Sequence, residues 1–227
     1  MEAIRAEKVK YTYQTKYQKT EALKGVSCTF ETGKMYAITG ESGSGKSTFL
    51  SLLAGLDVPT TGAIFVEGKD IKTINRDSYR KKQASVVYQA FHLFPLLNAL
   101  ENVMFPLELQ GISKKQSREQ AKQFIEKVGL GEKILKQFPQ MMSGGEQQRI
   151  AIARAMAAGG KILLADEPTG NLDSKNEEII TSLLKRLAHQ EDYSVIIVTH
   201  NSKVSGEADI VYNMCDGELE VGKLEII

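Results

Sequence analysis

The chain has 227 residues, enough for one large domain with a buried core and no need of covalent staples. Its 42% hydrophobic and 25% charged residues are ordinary for a globular protein, and 29 Lys and Arg against 28 Asp and Glu leave a net charge of +1, which argues against a basic coat for nucleic acid and against an acidic disordered tail. No apolar run approaches the ~20 residues of a membrane span, no apolar leader opens the sequence, and Cys28 and Cys215 are too few for a disulfide framework, so a soluble, reduced, cytoplasmic protein is expected, with both cysteines as small core residues.

In chain order, residues 3–13, 26–30 and 35–39 carry alternating, β-branched or aromatic positions and predict three strands, the last two joined across Glu31-Thr32-Gly33-Lys34. The run Met35-Tyr36-Ala37-Ile38-Thr39 is apolar and stopped by Gly40, as suits a buried central strand. A helix is expected over 48–54 and a short strand over 85–88. From 97 to about 158 the periodicity turns helical: Ser113 is the expected N-cap of a helix running to 128 and ended by Gly129, and residues 147–158 meet no breaker before Gly159-Gly160. Strands are then expected over 161–165, 193–199 and 210–214. Between the first two lies an amphipathic helix, 174–190, with Ile179, Ile180, Leu183, Leu184 and Leu187 on one face. Strands alternating with helices predict an α/β fold with a parallel sheet covered on both faces.

The strongest chemical signal is Gly40-Glu41-Ser42-Gly43-Ser44-Gly45-Lys46-Ser47, which fits G-x-x-x-x-G-K-[ST] between an apolar strand and a helix. Glycines let the backbone turn its N–H groups onto phosphate oxygens, and the helix that follows adds its N-terminal dipole. Lys46 can reach the β- and γ-phosphates, and the Ser47 hydroxyl can hold Mg²⁺. A second part is the apolar strand ending at Asp166-Glu167, which sets both acids at the carboxyl edge of the sheet. Asp166 is expected to support Mg²⁺ and Glu167 to polarise the attacking water. The strand over 195–199 carries His200 to the same edge as a γ-phosphate sensor, whereas His92 and His189 have no such placement. Gln89 follows the strand over 85–88 and brings an uncharged amide near metal and water. No guanine-reading Asn-Lys-x-Asp occurs, which favours ATP over GTP. Arg80-Lys81-Lys82 reads as a solvated helix end, and no nucleic-acid partner is expected.

Met142-Ser143-Gly144-Gly145-Glu146 is a second glycine-rich cradle at a helix start. One triphosphate needs only one phosphate loop, so a second cradle points to a different ATP and to a head-to-tail pair of chains. With these motifs in this order, the sequence closely resembles the ATP-binding-cassette (ABC) transporter ATPases over nearly its whole length. Gly40 to Ser47 matches the Walker A loop, Gln89 the Q-loop, Ser143 to Glu146 the signature, Asp166-Glu167 Walker B, Asn171-Leu172-Asp173 the D-loop and His200 the switch histidine. The segments Phe91-His92-Leu93-Phe94-Pro95-Leu96-Leu97-Asn98-Ala99-Leu100-Glu101-Asn102-Val103 and Asp166-Glu167-Pro168-Thr169-Gly170-Asn171-Leu172-Asp173 look like the class of lipoprotein-release, macrolide-export and bacitracin-resistance ATPases.

The resemblance implies a P-loop NTPase core of mostly parallel sheet with helices on both faces, an N-terminal antiparallel β subdomain and an inserted α-helical subdomain. Residues 1–227 are then one nucleotide-binding domain, with 1–89 and 160–227 as core and about 90–159 as the helical part. It implies Tyr13 stacked on adenine, and Gly40, Ser42, Gly43, Ser44, Gly45, Lys46, Ser47 and Thr48 on the nucleotide. Ser47, Gln89 and Asp166 would attend Mg²⁺; Glu167, His200 and Gln89 would be catalytic; and Ser143, Gly144, Gly145, Glu146 and Asp173 would contact the partner chain's ATP. The implied partners are a second copy of the chain and a separate membrane permease docked near residues 89–95, where Phe91, Leu93, Phe94, Leu96 and Leu97 offer apolar surface, so the chain would sit on the inner face of the cell membrane. The work done would be export or extracytoplasmic work on a peptide, antibiotic or lipid-like substrate. The alternative is a regulatory, cell-wall or cell-division ATPase that transports nothing. Met142 and Glu146 depart from the commonest signature, which has Leu and Gln; with Ser143 and Gly145 kept, no loss of activity is expected.

Overall fold

The computed structural model describes residues 1–15 and 18–222. Two sheets organise them. The first is antiparallel, ordered β2-β1-β4-β5, from β1 (Glu2–Gln14), β2 (Lys19–Glu31), β4 (Thr61–Val66) and β5 (Lys69–Asp70). The second is ordered β10-β9-β3-β8-β7-β6, from β3 (Met35–Thr39), β6 (Ala84–Tyr88), β7 (Ile162–Asp166), β8 (Ser194–Val198), β9 (Ile210–Cys215) and β10 (Glu218–Val221). In this sheet β9, β3, β8, β7 and β6 run parallel and only β10 is antiparallel. The strands expected on either side of Glu31-Thr32-Gly33-Lys34 therefore do not form a hairpin: β2 pairs with β1, and β3 enters the other sheet.

The apolar runs are uninterrupted because the second sheet is buried on both faces. Met35, Ala37, Leu163, Ala165, Val195 and Ile197 point into one core cluster, and their neighbours Tyr36, Ile38, Ile162, Leu164, Ile196 and Val198 into another. This is strand alternation with two dry sides. The second cluster is closed by Phe49, Leu50 and Leu53 of α1 (Lys46–Leu53), with α2 (Arg76–Lys82) contributing Tyr79.

The first cluster is closed by α3 (Ala99–Leu109), α4 (Lys114–Lys127), α5 (Gly144–Ala157) and α6 (Ser174–Glu191). Helices α3, α4 and α5 pack on one another. Asn98 caps α3 in a reciprocal box with Glu101, each bond 2.9 Å. Ser113 caps α4 as expected. A short α7 (Ser202–Gly206) follows β8. On α6 the residues Ile180, Leu183, Leu184 and Leu187 are buried, but Ile179 lies at the edge of that stripe, 38% exposed. Cys28 is packed against the second cluster, where burial pushes its thiol up to about 12. Cys215 is exposed, contrary to expectation, because β9 turns Tyr212 and Met214 inward and so turns residue 215 out.

What matters for function is where the parallel strands end. Register pairs Tyr88 with Asp166, Asp166 with Val198, and Val198 with Ile38. The residues that follow β6, β7, β8 and β3 therefore emerge side by side at one sheet edge.

Candidate functional site

At that edge the chain forms a cavity of about 850 Å³, lined by residues from seven segments, among them β2 and the turn after β9. Tyr13 comes from β1; Gly40, Ser42, Gly43, Gly45, Lys46, Ser47 and Thr48 come from the turn after β3 and the start of α1; Gln89 follows β6; Asp166 and Glu167 follow β7; His200 follows β8. Ser44, also expected on the nucleotide, is buried in the same turn, where Gly217 N–H donates to its carbonyl (2.9 Å).

The turn is held by backbone that only glycine can supply. Gly40 has φ 145°, and a Cβ there would stand 2.1 Å from the Met214 carbonyl oxygen. Gly45, the N-cap residue of α1, offers no side-chain cap to the helix. The first N–H groups of α1 are therefore free of a side-chain acceptor and form an anion-binding end. The Lys46 ammonium, nearly buried, donates to the carbonyls of Gly40 (2.9 Å) and Glu41 (2.6 Å). It braces the loop from inside while its charge faces the cradle.

Ser47 Oγ lies 3.5 Å from Asp166 Oδ1. Burial pushes the Asp166 carboxyl above its ordinary range, and the Ser47 hydroxyl pulls it partly back. A hydroxyl and a carboxylate oxygen are the hard donors Mg²⁺ takes when phosphate oxygens and water complete its shell. Two such donors leave room in the shell for the phosphate oxygens of a nucleotide. Glu167 is left-handed (φ 47°), and its N–H donates to the Val198 carbonyl (2.9 Å). A non-glycine residue in that region costs about 1–3 kcal/mol, which surrounding structure must offset. The conformation sets its carboxylate against His200, whose Nδ1–H donates to Oε1 at 2.8 Å. His200 itself is 73% exposed on its side chain, so it can reach outward while Glu167 stays fixed.

Tyr13 is 49% exposed, with its ring edge-on to Tyr11 at 4.9 Å and its hydroxyl 3.1 Å from Thr48 Oγ1. It is an available aromatic face rather than a packed core tyrosine. Gln89 shares the cavity, but its Nε2 donates to Asn171 Oδ1 (3.1 Å), and Asn171 Nδ2 donates back to the Gln89 carbonyl (3.3 Å).

The second glycine motif lies elsewhere: Ser143, Gly144, Gly145, Glu146 and Asp173 are absent from the lining of this cavity. Ser143 caps α5. Gly145 packs so closely on α6 that a Cβ would stand 2.0 Å from Asn176 Oδ1. Asp173 caps α6, accepting from Asn176 N–H (2.8 Å) and Nδ2 (2.9 Å), and these bonds hold its carboxyl low. Met142 is buried in the first core cluster.

Two residues escaped the sequence reading. Asn171 was placed in a motif without a partner. Arg154 of α5 reaches the loop after Gln89, donating to the carbonyls of His92 (2.6 Å) and Phe91 (3.1 Å), two left-handed residues at φ 48° and 60°. The planar guanidinium fork reaches both carbonyls with separate N–H donors in a fixed geometry. The hint was a charged residue on the buried side of α5; burial lowers its pKa from the usual arginine range. Arg154→Ala is expected to cut kcat for nucleotide hydrolysis by about ten- to a hundredfold by releasing this loop. KM should move by less than about threefold, because Arg154 does not line the nucleotide cavity. Steady-state kinetics checks both, with Arg154→Lys expected to rescue only in part.

Comparison with known proteins points to one family. The ABC transporter family model matches residues 23–170. The uncharacterized ABC transporter ATP-binding protein YclH of Bacillus subtilis is 38% identical over 221 residues, 97% of each chain. The lipoprotein-releasing system ATP-binding protein LolD of Saccharophagus degradans is 44% identical over 205 residues, 89% of this chain and 90% of that one. A macrolide export ATP-binding/permease protein MacB of Yersinia pestis is 38% identical over 95% of this chain, which spans only 33% of that longer relative. Among solved structures, the dimeric structure of MJ0796, a bacterial ABC transporter cassette, superposes with a TM-score of 0.88 at 37% identity, covering 99% of this chain and all of that one. A dimeric post-hydrolysis state of the same cassette, bound to ADP and Pi, fits equally well at 36% identity.

Proposed function

The chain belongs to the ABC transporter family and is an ATP-hydrolysing subunit of that family; from this we propose that two copies close head-to-tail around two ATP molecules and drive a separate membrane permease. Each ATP lies between Lys46 and Ser47 of one chain and Ser143 to Gly145 of the other, with Asp173 facing the same interface. Ser47 and Asp166 would hold Mg²⁺, with Gln89 lining the same cavity, and the metal would supply charge neutralisation on the phosphates. Tyr13 stacks on the base. Glu167 takes the proton of the attacking water, and His200 holds Glu167 and senses the γ-phosphate. Hydrolysis removes the bridge between the chains and they open. The single observation that carries the reading is a site in two parts: one cavity gathers Lys46, Ser47, Gln89, Asp166, Glu167 and His200, and the second glycine cradle of the same chain has no share in it.

The division of labour follows the fold. Residues 1–89 and 160–227 would be the core, of which 16, 17 and 223–227 lie outside the described residues, and about 90–159 a helical arm, a reading supported by the packing of α3, α4 and α5 on one another. The permease contact is an apolar groove of about 350 Å³ between the two parts. Leu56, Phe94, Phe105 and Leu109 expose their side chains into it, and Arg80 and Lys81 stand on its rim. Of the apolar residues expected there from sequence, Phe94 alone lines it; Leu93 packs on the core, and the rest of the lining comes from α3, β6, α5, the end of α2 and Leu56 after α1. Such a groove accepts an amphipathic helix with its apolar side down. No helix among the described residues is long and apolar enough to cross a membrane, and the chain reaches the inner face of the membrane through that docked permease. The likeness to the LolD and MacB proteins favours export or extracytoplasmic work on lipid-like, peptide or antibiotic substrates.

Complementation tests the shared site. Chains carrying Lys46→Ala and chains carrying Ser143→Ala should each be inactive alone. Mixed in equal amounts, they form a heterodimer with one intact composite site, and hydrolysis should return to a sizeable fraction of the unmutated rate. No recovery on mixing would overturn sharing in trans.

A further inference from the structure

The fourth residue of the signature motif is not idle. Glu146 Oε2 accepts from both donors of Ser143, its N–H at 2.8 Å and its hydroxyl at 2.8 Å, and the Glu146 N–H donates to Ser143 Oγ at 3.3 Å. This is a capping box, with one consequence for the site. The groups that the proposed function assigns to the partner chain's terminal phosphate are already held by an anion of the same chain.

We propose that Glu146 is a positioning residue that sets the threshold for ATP-driven closure. In the open chain its carboxylate keeps Ser143 ordered and its donors occupied. On closure the terminal phosphate of the partner's ATP competes for the Ser143 hydroxyl, which must rotate off Glu146. The two anions repel, and the repulsion is felt most where water leaves the interface. A glutamine at this position still accepts from Ser143 N–H through its side-chain carbonyl. It holds the hydroxyl less tightly, because charge-assisted bonds are roughly twice as strong as neutral ones, and it presents no charge. Glu146 therefore trades affinity of the closed dimer for a ready, well-ordered open state and easier release after hydrolysis. The inference rests on the reading of Ser143 as a contact in trans, and the experiment separates the two.

The measurement is the ATP-dependent dimerisation constant by analytical ultracentrifugation, in the Glu167→Gln background so that hydrolysis does not intervene, at low and high salt. Glu146→Gln is expected to tighten the ATP-bound dimer at least about tenfold at low salt, the scale of a unit charge removed from beside each of its two polyphosphates. The gain should shrink at high salt, where screening already weakens the repulsion. The melting temperature should fall only slightly, since the cap survives. Glu146→Ala removes the charge and the side-chain half of the capping box, leaving the residue 146 N–H on Ser143 Oγ; it should tighten the dimer as well while melting lower. A purely structural capping role predicts the reverse, an unchanged or weaker dimer in both variants with no salt dependence, and that result would overturn the proposal. Ser143→Ala in the same background should weaken closure at least tenfold. If it does not, the trans contact itself fails; if it does while Glu146→Gln changes nothing, the trans contact stands and the role of Glu146 falls.

Discussion

Replacing Glu167 by Gln is expected to lower ATP hydrolysis by about 10²–10⁴-fold, the usual contribution of a positioned general base, while leaving ATP binding intact. The substitution is nearly isosteric. Its carbonyl oxygen can still accept from His200 Nδ1–H, the contact made at 2.8 Å by Oε1, and its backbone can keep the left-handed conformation and the N–H bond to Val198. What it loses is the second oxygen's capacity to take a proton. With binding preserved and turnover blocked, the ATP-bound dimer should accumulate. Gel filtration with Mg²⁺ and ATP should show a stable dimer for Glu167→Gln and a monomer or rapid exchange for the unmutated chain. A variant that hydrolyses at the normal rate and stays monomeric at saturating ATP would remove Glu167 from the role of base. His200 is the more exposed partner, at 73% against 18% for Glu167, so its substitution disturbs orientation first and proton transfer second.

Lys46→Ala acts one step earlier, on binding. The ammonium is nearly buried and makes two short bonds to the carbonyls of Gly40 and Glu41. Losing it removes the charge that faces the phosphates and also the internal brace of the loop that presents the backbone N–H groups. Truncating one member of a desolvated, hydrogen-bonded charge pair costs about 2–5 kcal/mol, and each 1.4 kcal/mol is about tenfold. ATP affinity should therefore fall by at least about thirtyfold and the loss can reach several thousandfold. Titration with a fluorescent ATP analogue measures it. Thermal melting of the nucleotide-free variant should stay close to that of the unmutated chain, because Lys46 bonds only to its own loop and Ser44. A large drop in melting temperature with little change in affinity would reverse the assignment, making Lys46 structural.

Several elements could not be read from sequence, each for a local physical reason. Helix α2 has seven residues, too few to be marked by periodicity or stable alone. It is held from outside, by the Asn75 cap and by buried Tyr79, whose hydroxyl donates to the Leu53 carbonyl at 2.7 Å. Strand β4 carries Gly62, which reads as a breaker, yet that glycine sits so close to β1 that a Cβ would meet the Glu7 and Lys8 carbonyl oxygens at 2.5 and 2.3 Å. Strand β10, Glu218 to Val221, is half acidic and is an edge strand made by pairing with β9. The apolar groove was misplaced by sequence for a similar reason. Phe105 and Leu109 look like core positions of a helix, and only the packing of α3 against α5 decides that they turn to the surface at 38% and 59% exposure.

The amino-acid sequence by itself determined the chemistry. The glycines of the phosphate loop, Lys46, the acids closing β7 and the histidine after β8 are legible because each motif is short, local and tied to a strand end. A buried parallel strand also announces itself as an apolar run. Tertiary structure alone decided which groups hold which. That Gln89 is latched to Asn171 and that Arg154 clamps the left-handed Phe91 and His92 are facts of hydrogen bonding. Both join residues more than sixty positions apart. No pattern along the chain encodes such pairs, because their geometry arises only when separate strands and helices are brought to one edge of one sheet.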